Sequence, residues 1–160
     1  MLMGGPVELA KSNSPSFMST VSKSVLVPYS AQRMFDLVER VEDYPGFLPW
    51  CAGSSVSERS GTGMTATVQI DFKGLRQSFT TTNVHEPGRQ IDMRLKEGPF
   101  SRLQGTWRFI PLREDACKVS FELDYAFAGG LISRLLAPVF DQIAGSMVDA
   151  FVKRADQLHG

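Results

Sequence analysis

The chain has 160 residues, 42% of them hydrophobic and 21% charged, with 17 basic and 17 acidic side chains and a formal net charge of zero. That length predicts one domain with a core of its own, and the charge balance argues against a general nucleic-acid binder, which would be basic. Cys51 and Cys117 are far apart and have no metal or redox spacing, so they read as reduced apolar residues in a reducing compartment. No run of 18 or more apolar residues occurs, so the sequence predicts no transmembrane helix.

Residues 1–17 carry Gly4-Gly5-Pro6 and Lys11-Ser12-Asn13-Ser14-Pro15-Ser16, with no periodicity and no apolar h-region. They read as a disordered leader rather than a secretory signal, with the folded domain over 18–160 and the cytoplasm as its location by default. Thr20 to Val27 alternates and predicts a first strand. Ser30 is a natural N-cap, and Met34, Phe35, Leu37, Val38 and Val41 follow at helical spacing. Asp43-Tyr44-Pro45-Gly46 breaks that helix. Phe47-Leu48-Pro49-Trp50-Cys51 is then an apolar connection, read as a core plug or as a lid at the mouth of a cavity. Its Leu and Phe, if exposed, would offer contact with a membrane.

Strands are predicted over Ser54–Arg59, Met64–Phe72, Leu75–His85, Gln90–Lys96, Phe100–Ile110 and Lys118–Phe127. Their period of two describes an antiparallel sheet with one apolar and one wet face. Glycines in Ser60-Gly61-Thr62-Gly63, Lys73-Gly74, Glu86-Pro87-Gly88 and Gly98-Pro99 punctuate them. His85 ends a strand beside a turn and reads as solvated. From Gly130 to His159, Leu131, Ile132, Leu135, Leu136, Val139, Phe140, Ile143, Met147, Val148, Phe151, Val152, Ala155 and Leu158 recur at three- and four-residue steps. They predict one long helix, roughly 40 Å at about 1.5 Å per residue, laid on the sheet by its apolar stripe. Strands followed by one terminal helix give an α+β fold, with a curved antiparallel sheet of about six to seven strands around that helix.

Catalytic patterns are missing. Two histidines make no metal cluster, neither His-Glu-x-x-His nor Cys-x-x-Cys occurs, and Gly145-Ser146 lacks the strand-turn-helix setting of a nucleophile elbow. No Gly-rich loop opens a helix. The carboxylates Asp71, Asp92, Glu122 and Asp124 fall at outward strand positions. A dry interior of this kind suits holding a hydrophobic molecule more than acid–base chemistry, and no catalytic residue, metal or cofactor is expected.

Three strings carry a family resemblance. They are Val41-Glu42-Asp43-Tyr44-Pro45-Gly46-Phe47-Leu48-Pro49-Trp50-Cys51, Gly98-Pro99-Phe100-Ser101-Arg102-Leu103-Gln104-Gly105-Thr106-Trp107-Arg108-Phe109, and Met147-Val148-Asp149-Ala150-Phe151-Val152-Lys153-Arg154-Ala155. Together they resemble the coenzyme Q-binding protein and ribosome-association toxin family of the START-like, polyketide-cyclase-like superfamily. The resemblance covers about Thr20 to Leu158. It implies the helix-grip fold, with a cavity between sheet and helix. It also implies binding of ubiquinone or a similar prenyl lipid in support of respiratory electron transfer; peripheral contact at an inner membrane is a separate expectation that rests on the Phe47–Trp50 segment. The alternative it implies is binding to the large ribosomal subunit, which would block subunit association. A cyclase or dehydratase using the same cavity is the third reading.

On the lipid-binding reading the candidate site residues are Phe47, Leu48 and Trp50 at the mouth, Phe79, Met93, Leu103, Trp107 and Phe121 on the sheet, and Leu136, Phe140, Ile143 and Met147 on the helix. Each could equally be ordinary core. On the ribosome reading the candidates are the outward basic residues Lys73, Arg76, Arg94, Lys96, Arg102, Arg108 and Lys118.

Overall fold

The computed structural model describes residues 18–160; the leader proposed for 1–17 lies outside the described residues. Strand β1 is Ser19–Val27, followed by helix α1, Ala31–Glu39, and a 3-10 helix η1, Val41–Gly46. Six strands follow: β2 (Cys51–Ser60), β3 (Gly63–Phe72), β4 (Leu75–Glu86), β5 (Gln90–Glu97), β6 (Phe100–Arg113) and β7 (Ala116–Phe127). The chain closes with helix α2, Gly130–His159. All seven strands form one antiparallel sheet in the order β1-β7-β6-β5-β4-β3-β2. The predicted α+β helix-grip architecture is therefore the observed one.

Local chemistry explains the elements. Ser30 caps α1 by accepting a hydrogen bond from the Arg33 N–H at 3.1 Å. The helix stops at Glu39, two residues short of the Val41 that its periodicity reaches; Arg40 leaves helical geometry as its C-cap and the chain tightens into η1, which holds Pro45. β2 begins at Cys51, three residues earlier than expected. Cys51 already pairs with Ile70, and register shifts at Cys51/Gly53 and Ser57/Ser60 interrupt the period-two pattern there. Further shifts at Thr80/Thr81, Phe100/Arg102 and Pro111/Arg113 bend the sheet around α2. At Gly105 a Cβ would lie 2.7 Å from a Leu123 methyl and 3.1 Å from the Glu122 carbonyl, so the concave centre of the sheet needs a glycine.

Two tyrosine–aspartate bonds hold α2 to the rest of the molecule. The Tyr125 hydroxyl on β7 donates to Asp141 Oδ1 at 2.5 Å, and the Tyr29 hydroxyl donates to Asp156 Oδ1 at 2.6 Å. Arg59 joins the α1–η1 layer to β2, meeting Glu39 at 3.1 Å and both carboxylate oxygens of Glu42. Cys51 and Cys117 are buried free thiols, and burial pushes both above the usual thiol range.

Three expectations are overturned. His85 is buried, 5% exposed, and not a solvated turn residue. β4 runs one residue past it, so His85 still points inward, beneath α1 and edge-on to Phe35 at 5.8 Å. Leu48 and Trp50 are buried and Phe47 is half-buried against Tyr44 and Phe151, so the Leu and Phe of this segment are not the exposed side chains expected to meet a membrane. The apolar stripe of α2 is not covered along its full length: Leu131, Ile132 and Leu135 are exposed.

Candidate functional site

The concave face of the sheet supplies one wall of a cavity, α2 another, and the α1–η1 layer the third. Inward positions of β3 to β7 alternate with outward ones, so Ala66, Val68, Met93, Leu103, Trp107, Phe121 and Leu123 converge. From α2, Phe140, Ile143, Ala144 and Met147 descend onto them at helical spacing. Val38, Val41 and Tyr44 close the third side, and Trp50 fills the junction where β2 begins. The enclosed space is about 80 Å³. Water takes about 30 Å³ in the liquid, so this is room for two or three waters, far below the roughly 300–1,000 Å³ of an occupied ligand pocket. As it stands the cavity is narrow.

Of the residues singled out from sequence, Trp50, Phe79, Met93, Leu103, Trp107, Phe121, Phe140, Ile143 and Met147 come together around this space. Phe47 and Leu48 do not reach it. They line a separate groove of about 600 Å³ on the outer side of the Pro45–Trp50 segment, facing Ser146, Asp149, Lys153 and Arg154 of α2. Trp50 lines both spaces and is the partition between them. The Arg154 guanidinium sits 5.1 Å above the Phe47 ring in that groove. Leu136 is fully buried but packs outside the cavity wall.

Sequence reasoning missed the polar part of the wall. Thr81 and Asn83 on β4 are buried and face the cavity, and the Thr81 hydroxyl donates to Asn83 Oδ1 at 2.8 Å. That engages the acceptor half of the Asn83 side chain and leaves its amide NH₂ as the donor available to a guest. The signal was present: Thr81 and Asn83 occupy the same inward register as Leu75 and Phe79 of that strand. Tyr44 also reaches the wall, but its hydroxyl donates to the Val38 carbonyl at 2.5 Å, and burial pushes its pKa well above the usual phenol range. No carboxylate, imidazole, amine or thiol lines the cavity. Among the described residues no group of His, Cys, Asp and Glu could hold a metal.

The outward basic residues lie on the convex face of the sheet among acids. Arg76 pairs with Asp71 at 3.1 Å and Arg108 with Glu122 at 3.6 Å. Asp92 accepts from Thr106 and Gln90, and Asp124 from Thr20, so these carboxylates are surface partners rather than paired catalytic acids.

Comparison with known proteins agrees with this architecture. A family model described as polyketide cyclase / dehydrase and lipid transport matches residues 27–152. A ribosome association toxin of Pseudomonas aeruginosa is 48% identical over 144 residues, covering 89% of this chain and all of the relative. A mitochondrial coenzyme Q-binding protein of Xenopus laevis is 29% identical over 143 residues, 87% of this chain and 59% of the relative. Among solved structures, an 18 kDa protein of Caulobacter crescentus is 35% identical with a TM-score of 0.67, covering 89% of this chain and 99% of that one. An aromatase/cyclase of Streptomyces sp. R1128 shares the fold with a TM-score of 0.75 at 17% identity, over 88% of this chain and 94% of that one. The chain therefore belongs to the polyketide cyclase / dehydrase and lipid transport family, in its START-like branch of ribosome-association toxins and coenzyme Q-binding proteins.

Proposed function

We propose that the protein binds a hydrophobic small molecule of the prenylated quinone class, without catalysis, and so supports respiratory electron transfer. The observation that carries this reading is the cavity between sheet and α2, whose wall is apolar except for the Thr81–Asn83 pair. A quinone ring offers carbonyl acceptors, which suit the Asn83 amide. An isoprenoid tail needs only apolar walls, at roughly 0.8 kcal/mol for each CH₂ buried. The coenzyme Q-binding relative supports the same ligand class. Binding requires the narrow cavity to widen. Phe79, Met93 and Met147 are its half-buried members, and the methionines can change rotamer at little cost. Native mass spectrometry with organic extraction of freshly purified protein tests the reading. A lipid at near-equal stoichiometry supports it, and Asn83→Leu should then weaken the quinone more than a plain alkane. An apo protein whose melting temperature is unmoved by saturating ubiquinone would refute it, since ligand at a hundred times Kd stabilises by about 2.7 kcal/mol.

Association with the ribosome is a second reading. It is favoured by relatives named ribosome association toxins that are 42–48% identical and align over nearly their whole length. On this reading the convex-face cations Arg94, Lys96, Arg102 and Lys118 meet ribosomal RNA phosphates. Co-sedimentation with the large ribosomal subunit that weakens steeply with salt would support it. Co-sedimentation insensitive to salt, or none, would remove it.

A further inference from the structure

Strand direction alternates across the sheet, so the β3–β4 turn, the β5–β6 turn and the start of α2 lie at one end of the molecule. The Ala128 N–H donates to the Pro99 carbonyl at 3.0 Å, which fixes the start of α2 beside the β5–β6 turn. At this end three large apolar side chains stand in solvent: Leu131, 69% exposed, Leu135, 50%, and Ile132, 43%. Leu131 and Leu135 are one turn apart and share a helix face. They add to the apolar character of α2, which by length and composition alone is apolar enough to cross a membrane although it lies along a sheet.

The charges left without a partner at this end are mostly of one sign. Lys73, Lys96, Arg102 and Arg134 are exposed and, among the described residues, make no ion pair. The acids at this end are Asp71, held by Arg76, Asp124, held by Thr20, Asp141, held by Tyr125, and the exposed Glu97. α2 begins without a side-chain cap and without an acid in its first turn, so the positive end of its dipole also points outward.

We propose that this end docks on an anionic lipid bilayer, with Leu131, Ile132 and Leu135 entering the acyl boundary while Lys73, Lys96, Arg102 and Arg134 meet the phosphates. An apolar protrusion with unpaired cations at the same end matches both layers of such a surface, whereas a nucleic-acid backbone would use only the cations. The proposal stands apart from the cavity: a protein that holds no ligand would dock equally well.

Flotation of the full chain with vesicles tests it. The protein should float with phosphatidylglycerol-rich vesicles, remain behind with pure phosphatidylcholine, and be released by high salt. Leu131→Gln/Leu135→Gln should weaken binding roughly tenfold or more, since two exposed anchors are lost. Lys96→Gln and Arg102→Gln should each weaken it about fivefold. Leu158→Gln, an equally exposed leucine at the far end of α2, should change nothing. All these sites are exposed, and unchanged thermal melts establish that the variants fold. Failure of the native chain to float with anionic vesicles overturns the proposal, as does equal flotation of Leu131→Gln/Leu135→Gln. Loss of ribosome co-sedimentation in that double variant, with no vesicle binding by the native chain, also overturns it and assigns the patch to the ribosome.

Discussion

Between Ile143 and Ala155, α2 turns Ile143, Ala144, Val148, Phe151 and Ala155 toward the sheet, and all are buried. Between Leu131 and Leu135 the same helix, with the same spacing of apolar residues, leaves Leu131, Ile132 and Leu135 in solvent. The difference comes from what lies opposite. The C-terminal half is enclosed by the sheet and by the α1–η1 layer, where Tyr44 and Phe47 stand edge-on to Phe151 at 5.3 and 5.4 Å and Trp107 closes from the sheet at 5.4 Å. The first three turns of α2 bury only Leu136 and Phe140 against the sheet, and the edge-on aromatic contacts from the α1–η1 layer fall on the C-terminal half. One periodicity thus serves as core at one end and as open surface at the other.

Truncation should separate the two halves most sharply. Phe151→Ala removes a ring held by three aromatic neighbours and should cost about 3–5 kcal/mol in urea unfolding. Leu131→Ala and Leu135→Ala should each stay within about 0.5 kcal/mol. Comparable losses at both ends would mean that α2 is covered along its whole length in solution, and the contrast would fail.

That contrast also marks the limit of what could be read from the residues. The strand periods from Met64 to Phe127 were plain because one face of each strand is buried, and a period of two then shows directly. The cavity residues on β5, β6 and β7 followed from the same rule. Leu131 and Leu135 could not be told from Phe140 and Ile143, since periodicity reports a face and not what covers it. His85 went unrecognised because its turn-adjacent position suggested solvent, while its inward register on β4 was the stronger constraint. Thr81 and Asn83 share that register and were passed over because polar type was taken for exposure. Trp50 and Phe47 are neighbours in sequence yet serve different spaces, a separation that depends on how η1 turns the chain.

The two tyrosine–aspartate bonds offer a finer comparison along α2. Tyr125 is buried and its hydroxyl donates to a carboxylate, so Tyr125→Phe should cost about 1.5–3 kcal/mol, the range for bonds to charged groups. Tyr29 makes the matching bond near the C-terminus of α2, and Tyr29→Phe should cost less than Tyr125→Phe, because packing already secures that half. Amide hydrogen exchange localises the effect. Tyr125→Phe should speed exchange across the first turns of α2, whereas Tyr29→Phe should affect only its last turn. Equal acceleration along the helix in both variants would mean that α2 opens as one unit.

The smallest expected effect concerns pH and the layer that covers only the C-terminal half. His85 lies under α1 with Nε2 unpartnered, and burial depresses its pKa below the usual imidazole value, with Glu39 opposing and Arg59 reinforcing that shift. An unfolded His85 takes a proton near pH 6.5, but the folded one resists until the pH is lower. Between those values the unfolded chain binds more protons, so stability rises with pH there. The contribution of neutral His85 is fully present above about pH 6.5 and is lost as the pH falls through the depressed folded value. Glu42, lowered chiefly by its hydrogen bonds from Arg59, loses its own contribution only at still lower pH, in the carboxylate range. Urea midpoints measured from about pH 8 down to about pH 5 should therefore fall for the native chain and stay flatter for His85→Leu, which has no proton to gain. Parallel curves would place His85 in contact with water, and the α1 layer would then be looser than its packing on Phe35 and Phe109 implies.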